Sequence, residues 1–294
     1  MGRALSVRLE EKYGKESITV VDIARAKDLP YKFARLNIHD SIRLEQFIRE
    51  NKVNHIINLV NMLPSEGELD FHKVRDTNIR GIENILDVAA KHKCAVFNAS
   101  SIAVYEALPS KQPKPEDCVM LPSTIYGVSK IYGELLGEYY WSKYLIDFRS
   151  LRYPILLSSE LYTEREIGFY MNQMFFQTKY TCYTNPNTQL PAMHVDDCAR
   201  AIQMLIEADD SKFTRRVYNL AGVKFTAKEL AHEISKHVPN FECTFKPDYR
   251  QIRINGWPIE IDDSSNKDWG WEFKQTLPEL VDKIFNDIKA NSTK

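Results

Sequence analysis

The sequence predicts an α/β fold, a doubly wound parallel sheet followed by a smaller C-terminal lobe. Short apolar runs rich in β-branched residues end in polar side chains, which is typical of buried parallel strands. Longer stretches with apolar residues at helical spacing lie between these runs. In such a sheet, ligands bind outside the carboxyl ends of the strands. We predict a nucleotide-binding domain over 1–155 and a substrate lobe over 156–294, with segments of the second part returning to the first.

The composition bounds the classes of protein to consider. Lys and Arg number 39 and Asp and Glu number 40, so charge gives no argument for a nucleic-acid or membrane partner. The 5 cysteines include no Cys-x-x-Cys pair, which favours reduced, mostly buried thiols over a disulfide framework or a zinc site, and we expect no metal. Since no run of eighteen apolar residues occurs, we expect no transmembrane span, and the first residues do not read as a signal or transit sequence.

The first half of the chain supplies the predicted elements in order. Strands are predicted at Ile18–Asp22, His55–Val60 and Ala95–Ser101. Asp40 and Ser41 provide an N-cap for the helix between the first two of these strands. A longer helix with one apolar face is predicted from Val74 to Ala89, and another begins at Tyr126.

Tyr126 and Lys130 are the strongest candidates for chemistry. Four residues apart at the start of a helix, their side chains share one face. A phenol is a weak base at neutral pH, but a neighbouring cation favours its ionised form, so Lys130 could make Tyr126 a general base. The same spacing also occurs by accident, with the tyrosine half buried and the lysine in water.

A second motif favours the catalytic interpretation of Tyr126 and Lys130 over an accidental spacing. The strand Ala95–Ser101 ends in paired hydroxyls and continues as Ile102-Ala103-Val104-Tyr105. A strand ending in Ser-Ser-x-x-Val-Tyr, about two dozen residues before Tyr-Gly-x-Ser-Lys, resembles the extended short-chain dehydrogenase/reductases. The resemblance implies a Rossmann-type fold that binds NAD. It also implies that Ser101 holds the substrate oxygen, that Tyr126 exchanges its proton, and that Lys130 tunes Tyr126 and binds the nicotinamide ribose.

Further motifs narrow the resemblance to one branch, the short-chain L-threonine 3-dehydrogenases. They cover nearly the whole chain and include Thr77–Ala90, Thr124–Lys130, Asp147–Pro154, Leu190–Met193 and Asp268–Trp271. This branch implies oxidation of L-threonine, or a similar small molecule, to 2-amino-3-ketobutyrate. It assigns cofactor contacts to Gly2, Asp22, Asn37, Ile38, Asn78, Tyr126, Lys130 and Tyr153.

The N-terminus departs from the family pattern. Gly2 matches the last glycine of a Gly-x-x-Gly-x-x-Gly turn, while the first strand and the first two glycines have no counterpart. That strand is normally central in the sheet, so we expect its neighbours to lose hydrogen-bonding partners. Asp22, at the end of the next strand, would bind the adenosine ribose and select NAD over NADP, although it could equally cap the following turn. Asn37 and Ile38 replace an Asp-Val pair beside the adenine.

The substrate side departs as well. Pro64 stands where the family has a serine, and Ile155 stands for a glycine beside the expected nicotinamide pocket. The family's glycine-rich loop is replaced by a shorter segment carrying Glu164, Arg165 and Glu166. These charges could bind an amino-acid substrate, but a solvated loop is the simpler interpretation.

In the C-terminal third we predict a helix from Val195 to Ala208 and capping boxes at Thr226–Glu229 and Thr276–Glu279. We expect Trp257, Trp269 and Trp271 to pack this lobe. His194, His232 and His237 do not have the spacing of metal ligands and are read as surface or core residues.

The resemblance also implies a homodimer, formed by the two long helices and their copies, and a mitochondrial location as in animal relatives. Three alternatives remain open at this point: a threonine dehydrogenase, a truncated relative that has lost NAD binding, and a related dehydrogenase or epimerase with another substrate.

Overall fold

The fold is described by a computed structural model of the chain. The described residues are 1–25, 29–62, 70–105, 113–160, 172–248, 251 and 254–292. Pro64 and the charged group Glu164, Arg165 and Glu166 lie outside these ranges, so the predictions made for them stay predictions.

Helices and strands alternate through the first part of the chain, as predicted. The strands are β1 (Thr19–Asp22), β2 (Lys32–Arg35), β3 (His55–Asn58), β4 (Ala95–Ser101), β5 (Phe148–Tyr153), β6 (Ile155–Leu157), β7 (Lys179–Cys182), β8 (Gln189–His194), β9 (Val217–Asn219), β10 (Val223–Thr226) and β11 (Glu242–Phe245). The helices are α1 (Gly2–Tyr13), α2 (Ser41–Glu50), α3 (Phe71–Val74), α4 (Gly81–His92), α5 (Ile125–Tyr144), α6 (Val195–Glu207), α7 (Ala227–Ser235) and α8 (Leu277–Ser292). A π-helical turn, Arg75–Arg80, joins α3 to α4.

The central sheet is parallel and has the strand order β3-β4-β5-β9. Its middle strand β4 is buried along Val96–Ser100, because helices cover both faces of the sheet. The register pairs Ser101 with Tyr153, so the carboxyl ends of β4 and β5 meet at one edge. The predicted α/β architecture is therefore confirmed.

The sheet is divided on its N-terminal side. β1 and β2 form a separate parallel pair, and among the described residues β1 has no strand partner other than β2. Likewise, β3 pairs only with β4 within the described chain. This division agrees with the expectation that these strands lose hydrogen-bonding partners.

Apolar packing places the β1–β2 pair and the four-stranded sheet in one layer. Val21 of β1 and Ile56 of β3 pack against the same apolar cluster, which is formed largely by α2 and α4. On the opposite face, Ile57 and Leu59 pack against a cluster that contains Leu5 of α1. The helical layers are thus continuous although the strands between them are not.

The C-terminal lobe has its own core. A three-stranded sheet of order β10-β8-β6 and a two-stranded β11-β7 pair lie beside α7 and α8. Their buried side chains form one cluster that includes Leu190, Phe225, Leu230 and Ile284. Ile155 is buried in this cluster too, so its branched side chain is a core residue of the lobe.

The two predicted capping boxes begin α7 and α8. Thr226 Oγ1 accepts a hydrogen bond from the Glu229 N–H, and the Glu229 carboxylate accepts one from the Thr226 N–H. Thr276 and Glu279 make the same reciprocal pair. Both predictions are confirmed.

One prediction about the lobe is wrong. Trp269 and Trp271 pack with Leu5 and Leu151 against the central sheet, and α6 contributes Ile202 to the same cluster. The chain returns to that sheet in the 3₁₀ turn Ser264–Trp269, where the Tyr218 hydroxyl of β9 donates a hydrogen bond to Asp268. Only Trp257, of the three, packs against the lobe cluster.

Two simpler expectations are also tested. All the cysteines are free, and Cys94, Cys182 and Cys198 are buried. Among the described residues, no helix combines the length and the apolar character needed to span a membrane.

Candidate active site

Two strand ends form the base of the site. Ser101 ends β4, next to Tyr153 at the end of β5. The Ser101 hydroxyl accepts a hydrogen bond from the Ala103 N–H at 3.2 Å, which fixes its position at the start of a 3₁₀ turn. Ser101 is only partly buried, so its hydroxyl lies at the open edge of the sheet.

Helix α5 starts against that turn. Thr124 is its N-cap, and the Thr124 side chain accepts a hydrogen bond from the Gly127 N–H. A Cβ on Gly127 would lie 2.6 Å from the Ala103 carbonyl oxygen, so only glycine allows this close approach. The first turn of α5, which carries Tyr126, is thereby held beside Ser101.

Lys130 points at Tyr126 and is buried. Its Nζ lies 5.4 Å from the centroid of the Tyr126 ring and donates a hydrogen bond to the Ala99 carbonyl at 2.8 Å. An ammonium has three N–H groups, and Ala99 is the acceptor found for it among the described residues, which leaves two for a ligand. Burial lowers the pKa of Lys130 from 10.5 to about 8, while the nearby Glu134 carboxylate opposes the shift.

Tyr153 brings an unused hydroxyl to the site. The oxygen is buried and has no hydrogen-bond partner within the described chain. Burial raises the pKa of this phenol well above its usual value, and the neighbouring Cys198 and Tyr126 raise it further. Buried polar atoms are normally paired, so the Tyr153 oxygen marks a place where a ligand can bind.

Asn78 holds the site together from the π-helical turn. Its amide donates to the Met62 carbonyl and to Ser129 Oγ and accepts from the Met62 N–H, at 3.0, 3.2 and 2.8 Å. Ser129 Oγ in turn donates to the Tyr126 carbonyl. Asn78 therefore ties the segment after β3 to the first turn of α5, and its predicted contact with the cofactor stays a prediction.

Asp22 lies apart from these residues, at the end of β1. The carboxylate is exposed, and one oxygen accepts a hydrogen bond from the Ala24 N–H at 3.2 Å. A carboxylate in this position can accept further hydrogen bonds from the hydroxyls of a ribose. The turn-capping role and the ligand-binding role are compatible here.

Asn37 and Ile38 follow the neighbouring strand β2. Asn37 is exposed, and its side-chain oxygen accepts a hydrogen bond from the His39 N–H. Ile38 packs on Gly81, where an added Cβ would lie 3.0 Å from the isoleucine side chain. Both residues follow Arg35, which pairs with Asp22, so they lie at the same end of the β1–β2 pair as Asp22.

Gly2 begins α1, and a Cβ built on it would lie 3.8 Å from Leu59, just beyond β3. No side chain caps this end of the helix. The backbone N–H groups of a helix's first turn favour an anion, so the N-terminus of α1 is suited to a phosphate group.

A buried ion pair beneath the site was missed by the sequence reasoning. Arg152 and Glu134 make two parallel hydrogen bonds of 2.9 and 2.8 Å, and Ser100 donates to the same carboxylate. The available signal was the spacing of Glu134, four residues after Lys130 on one helix face.

A second polar cluster lies at the start of α6. Ligand atoms of His194, Asp196 and Asp287 lie within 4.8 Å of one another, a grouping that could hold a metal ion. However, the Lys283 ammonium lies 2.9 Å from Asp196 and 3.6 Å from Asp287. The positive charge of Lys283 therefore already offsets negative charge at these carboxylates. His194 Nδ1 accepts from the Asp196 N–H, so His194 acts as a helix cap.

A parallel sheet with a serine at the carboxyl end of one strand, and a tyrosine and a lysine in the first turns of the helix that follows, defines a nucleotide-dependent enzyme of the short-chain dehydrogenase/reductase type. Residues 1–221 match the NAD dependent epimerase/dehydratase family. The chain belongs to that family and is an NAD-dependent oxidoreductase.

Comparison with known proteins agrees. The chain is 36% identical to mitochondrial L-threonine 3-dehydrogenase of Bos taurus over 97% of this chain and 79% of that protein. Among solved structures, a monomeric L-threonine 3-dehydrogenase from a metagenome superposes with a TM-score of 0.93 at 36% identity, covering 99% of this chain and 96% of the other. L-threonine dehydrogenase from Phytophthora infestans gives 0.92 at 34% identity, with 100% and 96% covered.

The residues present fit a dinucleotide at both of its ends. Lys130 has two N–H groups available among the described contacts, and Tyr153 has a buried oxygen without a partner there. For the other end, the exposed Asp22 carboxylate ends β1, and Asn37 and Ile38 follow the paired strand β2. The N-terminus of α1 has no side-chain cap.

Proposed function

We propose that the chain oxidises L-threonine at its 3-hydroxyl to 2-amino-3-ketobutyrate with NAD. The observation that carries this proposal is the Lys130 ammonium, buried against the Tyr126 ring at the carboxyl edge of the sheet. The similarity to threonine dehydrogenases from a mammal, a metagenome and an oomycete supports the choice of substrate.

Each polar residue has a distinct role in this proposal. Ser101 donates a hydrogen bond to the substrate oxygen and orients the carbon that is oxidised. Tyr126, as phenolate, accepts the proton of the substrate hydroxyl, and the positive charge of Lys130 stabilises that phenolate. When bound, NAD supplies the hydride acceptor.

The cofactor would be held along the edge of the sheet. Lys130 and Tyr153 would bind its nicotinamide half, with Asn78 keeping the adjoining segment in place. The first turn of α1, from Gly2, would face the diphosphate. Asp22 would bind the adenosine ribose and select NAD over NADP, with Asn37 and Ile38 beside the adenine.

The experiment is a turnover assay of the purified chain with L-threonine and NAD, following cofactor reduction. Tyr126→Phe removes the proposed base, and general-base loss typically lowers kcat by about 10²–10⁴-fold. Tyr132→Phe is the matched control, because that hydroxyl on the same helix bonds Glu83. Undiminished turnover in Tyr126→Phe would refute the assignment of the base.

A second experiment tests the cofactor site directly, by calorimetric titration of the purified chain with NAD. Absence of a binding signal at millimolar cofactor would contradict the proposed function.

We also propose that the chain forms a homodimer through α5. Val128, Leu135 and Tyr139 lie on one face of this helix and are 45%, 59% and 52% exposed. Sedimentation velocity should give the mass of two chains for the wild type and of one chain for Leu135→Glu. Ile42→Glu is the control, because Ile42 is an exposed apolar residue of α2. A wild-type mass of one chain, as the name of the metagenomic relative describes, would contradict the proposal.

A mitochondrial location is proposed from the names of the cattle and pig relatives. Cell fractionation with a specific antibody tests it, and recovery of the protein outside the organelle fraction would contradict it.

A further inference from the structure

Glu134 is the most connected buried acid near the site. It is 2% exposed and lies one helical turn after Lys130. Its carboxylate accepts two hydrogen bonds from Arg152 and one from Ser100. Arg152 is itself 3% exposed and also donates to the Tyr105 hydroxyl and the Glu116 carbonyl.

These contacts connect α5 to the two strands that end at the site. Ser100 of β4 and Arg152 of β5 are paired in register, and the next pair along is Ser101 and Tyr153. Glu134 therefore joins the helix that carries Tyr126 and Lys130 to the strands one residue before Ser101 and Tyr153. A bidentate arginine–carboxylate pair fixes both distance and orientation.

The same carboxylate also acts on Lys130 through its charge. The groups that act on Lys130 are Tyr126 and Glu134 on its own helix and the Ala99 carbonyl on β4, while Arg152 on β5 binds the same Glu134 carboxylate. Glu134 is the one carboxylate among these described groups, and burial favours the neutral form of Lys130. The negative charge offsets part of that desolvation.

We propose that Glu134 is a positioning residue for the active site, which fixes α5 against the ends of β4 and β5 and keeps Lys130 an ammonium. This inference rests on the proposed function, in which a charged Lys130 stabilises the Tyr126 phenolate. Glu134 would therefore have two tasks. Its hydrogen bonds with Arg152 and Ser100 fix the position of α5, and its negative charge favours the protonated form of Lys130.

The pH profile of kcat/KM tests the charge. In the wild type, activity should fall at high pH as Lys130 loses its proton. Glu134→Gln removes the carboxylate and leaves Arg152 as a repelling cation, so the alkaline limb should move to lower pH by roughly one unit. Glu138→Gln, one turn further along α5, should leave the limb in place. An unmoved limb in Glu134→Gln would overturn the proposal.

Two further variants guard against a folding defect. Glu134→Asp keeps the charge but shortens the side chain, so kcat should fall while the alkaline limb stays at its wild-type position. Glu134→Gln/Arg152→Met removes both charges and leaves no unpaired buried ion, so the limb should move less than in Glu134→Gln alone. If the alkaline limb of the pH profile moves equally in Glu134→Gln, Glu134→Asp and the double variant, the charge of Glu134 is not the cause of the movement.

A titration of Lys130 by NMR, using ¹³Cε-labelled lysine without cofactor or substrate, separates this inference from the proposed function. The Lys130 signal, assigned with Lys130→Arg, should titrate at lower pH in Glu134→Gln than in the wild type. If the wild type lacks turnover but this shift is seen, the proposed function fails and the role of Glu134 stands. If turnover is present and the shift is absent, the inference fails alone.

Discussion

The two ends of the proposed cofactor site are built in opposite ways. At the chemical end, β4, β5 and α5 are joined by backbone pairing and by the buried Glu134–Arg152 pair. At the adenosine end, β1 and β2 form a separate pair, and Asp22 is exposed. The residues that would move a proton are thus held rigidly, while those that would select the nucleotide lie on a piece of sheet held by helices alone.

The difference shows that a reaction centre and its cofactor site can depend on different structural elements. Ser101, Tyr126 and Lys130 take their positions from β4, β5 and α5, which backbone pairing and the Asn78 contact with Ser129 hold together. Asp22 and the first turn of α1 flank the gap itself.

Hydrogen exchange should show the contrast directly. Amides of β5 such as Leu151, paired on both sides, should exchange only through global unfolding, which typically costs about 5–15 kcal/mol. Amides of β1 such as Val21 should exchange through local opening at far lower cost. Equal protection of the two strands would show that the pieces unfold as one unit.

Breaking the buried ion pair should destabilise the chemical end strongly. Arg152→Met leaves Glu134 buried without its partner and should lower the free energy of unfolding by about 3–5 kcal/mol, measured by urea denaturation. The control is Lys91→Met, which removes a surface pair with Glu45 and should cost about 0–1 kcal/mol. Similar losses in both variants would contradict the special position of the buried pair.

Lys130 should give stability an unusual dependence on pH. Its pKa is lowered from 10.5 to about 8 on folding, so below pH 8 the buried charge opposes folding by up to about 3 kcal/mol. Between these two pH values the unfolded chain binds the extra proton, and stability rises with pH. Lys130→Met should lack this rise, so its advantage at pH 7 should shrink towards pH 10.5. Parallel stability curves for both proteins would contradict the lowered pKa.

Asp22→Ala should have a smaller effect, confined to the nucleotide. Losing a hydrogen bond to a charged group costs about 1.5–3 kcal/mol, so NAD affinity measured by calorimetry should fall while that for NADP falls less. Asp209→Ala, a surface aspartate elsewhere, serves as control. If NAD binds the wild type and the Asp22 variant equally well, the carboxylate is not a ribose ligand.

Local patterns predicted most of this structure because they report short-range geometry. The four-residue spacing of Tyr126 and Lys130 and the polar end of the β4 run predicted residues that the fold does bring together. The separation of β1 from β3 was also anticipated, because these strands were expected to lose hydrogen-bonding partners.

Contacts between distant segments were not predictable in this way. Arg152 reaches Glu134 across 18 positions, and nothing in either local pattern specifies the partner. Trp269 and Trp271 were assigned to the wrong core because apolar patterning shows that a side chain is buried, but not which of two clusters receives it.

Among the described residues, β1 has no strand partner on the side away from β2 and β3 has none on the side away from β4, which has a consequence for handling the protein. A bare strand edge is a template on which another polypeptide can add a strand, and proteins usually protect such edges with lysine or proline. β1 reads Thr-Val-Val-Asp and β3 reads His-Ile-Ile-Asn, so neither carries that protection within the strand. We expect concentrated solutions to form edge-to-edge aggregates, and a short apolar peptide added in excess to suppress them.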